Sequence, residues 1–336
     1  MKVAALLSLA ILTATPAGAQ NNMAAWPLPA TLSPEGRAAA EAMAKQAMPD
    51  PLPPVAVQRQ MIGGLQEAMG AALAKRYDVR VEAATIGGVP VRILLPRGVA
   101  GVGKGNVLLN LHGGGFQLDS GSLTETIPIA ALTGLPVVSV LYRMAPEHAF
   151  PAAVDDALAV FTALERDRTA LRIALYGTSA GAVISAQLVA RLISLKRPVP
   201  AALGFFSGSA DMSVAGDSES WMPLPTGGKS LAQAAAPYIG NTDVRDPLLS
   251  PVHGDLTRFP PTLLVSSTRD VLLSATSIFG RRLLEQGVDA RMAVFDGLPH
   301  AFWAYMSIPE TDQANALMAN YLKRRLTVAD TRRARR

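Results

Sequence analysis

The segment Gly177-Thr178-Ser179-Ala180-Gly181 sets a serine between two glycines. It follows the apolar run Arg172 to Tyr176 and opens a helical stretch at Ala180. In such a strand–turn–helix setting G-x-S-x-G reads as a nucleophile elbow, which holds the hydroxyl out on a strained turn. Serine alone is a poor nucleophile, so a base must act on it. His300, in Gly297-Leu298-Pro299-His300, lies just past the apolar run Ala290 to Phe295, and Asp270 closes the run Thr262 to Arg269. In this reading His300 takes the serine proton and returns it to the leaving group. Asp270 fixes the imidazole tautomer and stabilises the imidazolium. Activity is then expected to rise with pH as His300 loses its proton.

His112-Gly113-Gly114-Gly115 follows another apolar run, Val107 to Leu111. The N–H groups of Gly114 and Gly115, with that of Ala180 after the nucleophile, are candidate oxyanion donors, each typically worth about 3 kcal/mol. Competitors are few. His112 reads as a brace for its loop, because a triad needs one base. His148 and His253 read as loop or packing residues, since a base must reach the nucleophile. Asp211 is the rival acid, and Asp296 is too close in sequence to His300 to serve well. Phe116, Leu118, Trp221, Phe302 and Trp303 read equally as pocket walls and as ordinary core.

These residues must be positioned by the elements around them. Val79 to Thr85 and Val89 to Leu95 flank Gly87-Gly88 and read as a hairpin. Solid apolar runs then alternate with helical stretches: strands at Val107 to Leu111, Pro136 to Leu141, Arg172 to Tyr176, Ala202 to Phe206, Thr262 to Ser266 and Ala290 to Phe295. Helices are expected at Ala152 to Arg166, Ala180 to Leu195, Ser274 to Gln286 and Thr311 to Arg325. This is the pattern of an α/β protein, with a mostly parallel central sheet flanked by helices. The chain order Ser, Asp, His is that of the α/β-hydrolase fold, and ligands in such sheets bind outside the carboxyl ends of the strands. Helices at Pro34 to Met48 and Val55 to Tyr77 precede the first strand, so residues 20–78 are free to cover something. Ser213 to Gly240 breaks the rhythm and reads as an insertion, a candidate lid. The main domain is then 79–326.

The chain has 336 residues, 49% hydrophobic and 17% charged, which excludes disorder and suits one large domain. No cysteine is present, which excludes disulfides, thiolate metal sites and a cysteine nucleophile. Lys2, the apolar Val3 to Leu12 and Ala17-Gly18-Ala19 form a three-part secretory leader. Export is therefore expected, periplasmic or secreted, with cleavage after Ala19. That apolar run is too short to span a bilayer, which needs about 20 residues. The net charge of +5 is concentrated at the C-terminus, where 327–336 reads as a solvated basic tail. The body has no basic stripe of the kind that binds nucleic acid.

With these residues in view the sequence resembles the hormone-sensitive-lipase-like esterases, bacterial esterase family IV. The resemblance runs from Val107 to the last helix. It rests on His112 to Gly115, Tyr142-Arg143-Met144-Ala145-Pro146-Glu147-His148-Ala149-Phe150-Pro151, Gly177 to Gly181, Asp246 to Pro251 and Thr268 to Ser274. Thr178 is similar to the G-T-S-A-G branch. The resemblance implies a helical cap and hydrolysis of small-molecule acyl esters, short to medium in chain length, with no metal or cofactor. It also implies a bracing role for Glu147 and His148, and it allows a homodimer. Many members carry Asp-Pro-Leu-Arg-Asp at the acid, whereas here Asp270 is followed by Val271-Leu272. Lactone or amide hydrolysis uses the same machinery and stays open beside ester hydrolysis. A non-catalytic binding protein would be expected to have lost one of these parts.

Overall fold

Eight apolar or alternating runs pair into a single sheet in the order β1-β2-β4-β3-β5-β6-β7-β8. The computed structural model describes residues 27–44, 52–166, 168–169, 172–222 and 231–334; the leader expected at 1–19 lies outside them. The strands are β1 Val79–Ile86, β2 Val89–Pro96, β3 Val107–Leu111, β4 Val137–Val140, β5 Ile173–Thr178, β6 Ala202–Phe206, β7 Thr262–Arg269 and β8 Ala290–Pro299. β2 runs against both its neighbours, and every pairing from β4 to β8 is parallel.

Solid apolar strands arise here because both sheet faces are covered. Val107, Leu109 and Leu111 of β3 feed one core cluster, while Leu108 feeds the other. Likewise Ile173 and Leu175 of β5 point one way, and Ala174 and Tyr176 the other. A one-residue slip would exchange the two sets.

The helices are α1 Pro34–Ala44, α2 Val55–Tyr77, α3 Ile127–Thr133, α4 Ala152–Glu165, α5 Ala180–Ser194, α6 Asp217–Trp221, α7 Leu231–Ala234, α8 Ala236–Ile239, α9 Leu273–Glu285 and α10 Pro309–Ala334. Ser33 caps α1: its Oγ accepts the Gly36 N–H at 2.9 Å. α2 begins directly after Pro54, as the cluster of prolines suggested. It crosses the segment that follows β3, and a Cβ at Gly70 would stand 2.6 Å from Leu123.

The largest departures from the expected boundaries are in β7, β8 and α10. β7 and β8 continue to Arg269 and Pro299, because they pair with each other as far as Arg269 and Pro299. α10 starts at Pro309 and its backbone runs to Ala334; no Gly or Pro interrupts 310–334, so the expected end at Arg325 has no breaker behind it. In the insertion 213–240 the described residues form α6, α7 and α8 and no strand.

The strand order makes a crevice. From β3 the chain moves outward to β4, then returns past β3 to β5. The loops leaving β3 and β5 therefore diverge, which is where open α/β sheets bind ligands.

Candidate active site

Ser179 sits between β5 and α5 with φ 57° and ψ −124°. A non-glycine residue pays for such a conformation, and the surroundings must impose it. The Ser179 N–H is held by the Phe206 carbonyl at 2.9 Å. The start of α5 lies directly on β3: a Cβ at Gly181 would stand 1.9 Å from the Leu111 carbonyl oxygen. Gly181 thus lets helix and strand meet, and the half-buried Ser179 hydroxyl is lifted at the strand end.

His300 follows β8. Its Nε2 is 3.0 Å from Ser179 Oγ and its Nδ1 is 2.8 Å from Asp270 Oδ1. Asp270 is fully buried, and Oδ1 also accepts the Leu272 N–H at 2.9 Å. A carboxylate only accepts, so Nδ1 carries the proton and Nε2 is left to accept from Ser179. Oδ2 is held by the Ser266 hydroxyl at 2.7 Å and by the Ser207 hydroxyl. The loop carrying His300 is tied down too: Ser267 Oγ donates to Leu298 O at 2.5 Å, and Tyr305 OH to His300 O at 2.6 Å.

The glycine loop after β3 lies against the serine turn: a Cβ at Gly113 would stand 3.1 Å from the Thr178 carbonyl oxygen. Gly114 has φ 121°, and a Cβ there would lie 2.0 Å from the Leu118 carbonyl oxygen, so only glycine fits. The turn closes through Leu118 N–H to Gly114 O (2.9 Å) and Ser120 N–H to Gly113 O (3.2 Å). Among the described residues nothing in the protein accepts from the N–H groups of Gly114, Gly115 or Ala180. Three preset donors near a serine–imidazole pair suit a developing oxyanion. His112 braces the loop: its Nδ1 lies 2.9 Å from Gly113 O, and its ring stacks on Tyr142 at 4.2 Å. Tyr142 OH in turn donates to His112 O at 2.7 Å.

Sequence and structure comparisons show the family. A family profile described as the α/β hydrolase fold matches residues 108–304. The chain belongs to the α/β-hydrolase family. An acetyl-hydrolase of Streptomyces hygroscopicus is 33% identical over 230 residues, 65% of this chain and 76% of that protein. The crystal structure of an esterase superposes with TM-score 0.76 at 35% identity, covering 89% of this chain and 96% of that one. An esterase of the bacterial hormone-sensitive lipase family superposes with TM-score 0.74 at 29% identity, covering 82% and 93%. This α/β hydrolase therefore stands among ester hydrolases, and its resemblance to the hormone-sensitive-lipase-like esterases extends to the tertiary structure.

The other residues of this hydrolase that the sequence singled out divide clearly. Phe116 is buried, with φ 66°, and stacks on Tyr238 at 3.9 Å, directly after the glycine loop. Trp221 is half-buried at the end of α6 and packs against Met222, Val271 and Leu272, beside Asp270. Phe302 is fully buried and packs against Phe295 and Trp303 at 5.3 and 5.1 Å. It belongs to the core, because the 3-10 turn after His300 swings its ring under the sheet edge. Trp303 is also buried, its Nε1 donating to Thr178 Oγ1 at 3.2 Å. The rival acid Asp211 is occupied elsewhere, with Ser213 Oγ at 2.6 Å and His253 Nε2 at 3.3 Å. Asp296 accepts from Thr31 and Thr268. Glu147 forms a two-pronged pair with Arg59, which holds its carboxyl down at about 2. His148 is exposed.

Sequence reasoning missed Ser207, Ser266, Arg59, Gln66 and Glu125. Arg59 of α2 donates to Gln117 O at 2.8 Å and to Ala145 O at 2.7 Å. Gln66, two turns further along the same face, donates to Ser120 O at 2.8 Å. Glu125 accepts the Gly113 N–H at 3.3 Å. Polar residues on α2, a helix expected only to cover something, were the one visible signal.

Proposed function

We propose that this chain is a serine carboxylic ester hydrolase acting on short- to medium-chain acyl esters through an acyl-enzyme. The observation that carries the reading is the relay from Asp270 Oδ1 to His300 Nδ1 at 2.8 Å and from His300 Nε2 to Ser179 Oγ at 3.0 Å. His300 takes the Ser179 proton as Oγ attacks the ester carbonyl, and Asp270 stabilises the imidazolium that forms. The N–H groups of Gly114, Gly115 and Ala180 receive the oxyanion. The tetrahedral intermediate collapses, His300 gives its proton to the departing alcohol, and a water deprotonated by His300 releases the acid. In that last step His300 returns the water's proton to Ser179 Oγ as the acyl–oxygen bond breaks, which restores the starting enzyme.

In this reading residues 20–78 and 213–240 cap the crevice, with Trp221 and Phe116 beside it. The acetyl-hydrolase and esterase relatives support ester substrates. Export through the leader at 1–19 is part of the proposal. Among the described residues no helix is long and apolar enough to cross a membrane.

Hydrolysis of a chromogenic ester series from acetate to long acyl chains, with Ser179→Ala as control, tests the reading. Turnover of short chains that disappears in the variant is expected, together with labelling of Ser179 by a serine-reactive phosphonate. Turnover that survives Ser179→Ala would overturn it.

A further inference from the structure

Behind the oxyanion loop lies a carboxyl group that the proposed reaction does not use. Glu125 is 4% exposed. Its carboxyl is clasped between two glycines: a Cβ at Gly113 would stand 3.2 Å from Oε1, and one at Gly121 only 1.9 Å. Oε1 accepts the Gly113 N–H, one residue before the Gly114 donor. Oε2 is buried, and among the described residues neither it nor the nearby Asn110 Nδ2 and Tyr176 hydroxyl has a hydrogen-bond partner. The groups that act on Glu125 are Asp119 on its own loop, Thr178 and Tyr176 of β5, Asn110 of β3 and Tyr142 after β4. His112, at the end of β3, acts on Asp119. No Lys or Arg is among them. A charged carboxylate buried without a cation is strongly disfavoured, and the group keeps its proton instead.

We infer that Glu125 works as a neutral acid beneath the oxyanion loop, and that ionising it sets a negative charge behind the oxyanion donors and slows acyl transfer. This rests on the esterase reading above. Neutral Glu125 is a positioning residue: it fixes Gly113 through Oε1 without opposing the charge that develops beyond Gly114 and Gly115. Ionised, it faces the oxyanion across the Gly113 backbone that it holds, in poorly screened protein where like charges repel strongly. Burial pushes the carboxyl up to about 8, so the change falls within a range where enzymes are assayed. The result is a loss of rate on the alkaline side.

Two measurements on the full chain test this. The first is kcat/KM for a short acyl ester from pH 6 to 10, for the native protein and Glu125→Gln, which keeps the acceptor oxygen and cannot ionise. A fall of about tenfold on the alkaline side is expected in the native protein and not in the variant. The same fall in both would overturn the inference. So would a variant slowed equally at every pH, which would leave Glu125 a merely structural role. The second is infrared difference titration of the native protein, which needs no variant to fold. A protonated-carboxyl band present at pH 7, lost with the same midpoint as the rate, is expected. An absent band, or a midpoint that does not match, would overturn the inference. Phosphonate labelling of Ser179 keeps the two readings apart: no labelling at any pH sinks the esterase assignment and the slowing with it, while the infrared titration still decides the charge on Glu125.

Discussion

The Ser207 hydroxyl lies 3.0 Å from His300 Nδ1 and also donates to Oδ2 of Asp270. It therefore touches both the acid and the base of the proposed relay. Ser207 is fully buried and has φ 56°, a region in which a non-glycine residue is strained by about 1–3 kcal/mol. Ser207→Ala removes the hydroxyl and keeps the strain. A drop in kcat of about three- to tenfold is expected, the worth of one hydrogen bond, with KM little changed. Ser207→Gly should be equally slow but melt higher than the Ala variant, since glycine tolerates that φ. Steady-state kinetics and melting curves check both; an Ala variant as fast as the native protein would remove Ser207 from the relay.

Gly181 is expected to be irreplaceable for a packing reason. Its absent Cβ would stand 1.9 Å from the carbonyl oxygen of Leu111, and neither backbone can yield without moving the elbow. Gly181→Ala should cost about 2–3 kcal/mol and displace Ser179 from His300. Thermal unfolding reads the first effect and the rate of phosphonate labelling the second.

Arg59 joins α2 to the loop beyond the glycines by bonding the Gln117 and Ala145 carbonyls. Its contact with the exposed Glu147 adds little stability, because surface pairs are screened. Losing the two carbonyl bonds should cost about 1–2 kcal/mol, and the loosened loop should lower kcat more than it raises KM. Arg59→Lys keeps the charge but lacks the forked geometry, so it should behave like Arg59→Ala. A lysine variant with native kcat would show that charge alone suffices.

Trp221 and Phe302 should separate under truncation. Phe302→Ala opens the core beneath the sheet edge and should cost about 3–5 kcal/mol, with acyl-length preference unchanged in whatever folds. Trp221→Ala, beside the loop of Asp270, should leave the melting temperature nearly unchanged and shift the chain-length optimum. Both are read by melting curves and the same ester series.

Glu125 also makes a statement about stability. Its ordinary value is 4.5 and burial raises it to about 8 in the fold. Between those values the folded protein holds a proton that the unfolded chain has released, so this group's contribution is intact below about pH 4.5 and is lost as pH rises towards 8. Glu125→Gln has no such dependence. The melting temperature of the variant relative to the native protein should therefore climb between pH 5 and 8; a constant difference would mean that Glu125 is already ionised.

Much of this molecule was written locally. The glycines of 177–181 and 113–115 demand particular turns, and a turn is a matter of neighbouring residues. The alternation of Val, Leu and Ile runs with helical stretches sufficed for a parallel sheet, because each strand buried on both faces shows as an unbroken apolar run. The order of Ser179, Asp270 and His300 at the ends of three such runs named the residues that the fold brings within hydrogen-bond reach.

Tertiary structure alone decided the rest. Nothing in Phe205-Phe206-Ser207-Gly208 tells that this serine meets Asp270, 63 residues away, since the meeting depends on β6 lying beside β7. Glu125 reads as an ordinary helix-flanking acid until the chain folds and closes Gly113 and Gly121 around it. Phe302 beside His300 looked as fit for a pocket as for a core, and the direction of one short turn sent it inward. Sequence determined which residues could do the chemistry, because their types and local turns are encoded side by side. The fold decided which others hold, tune or merely support them, because those contacts join residues that only sheet order and register bring together.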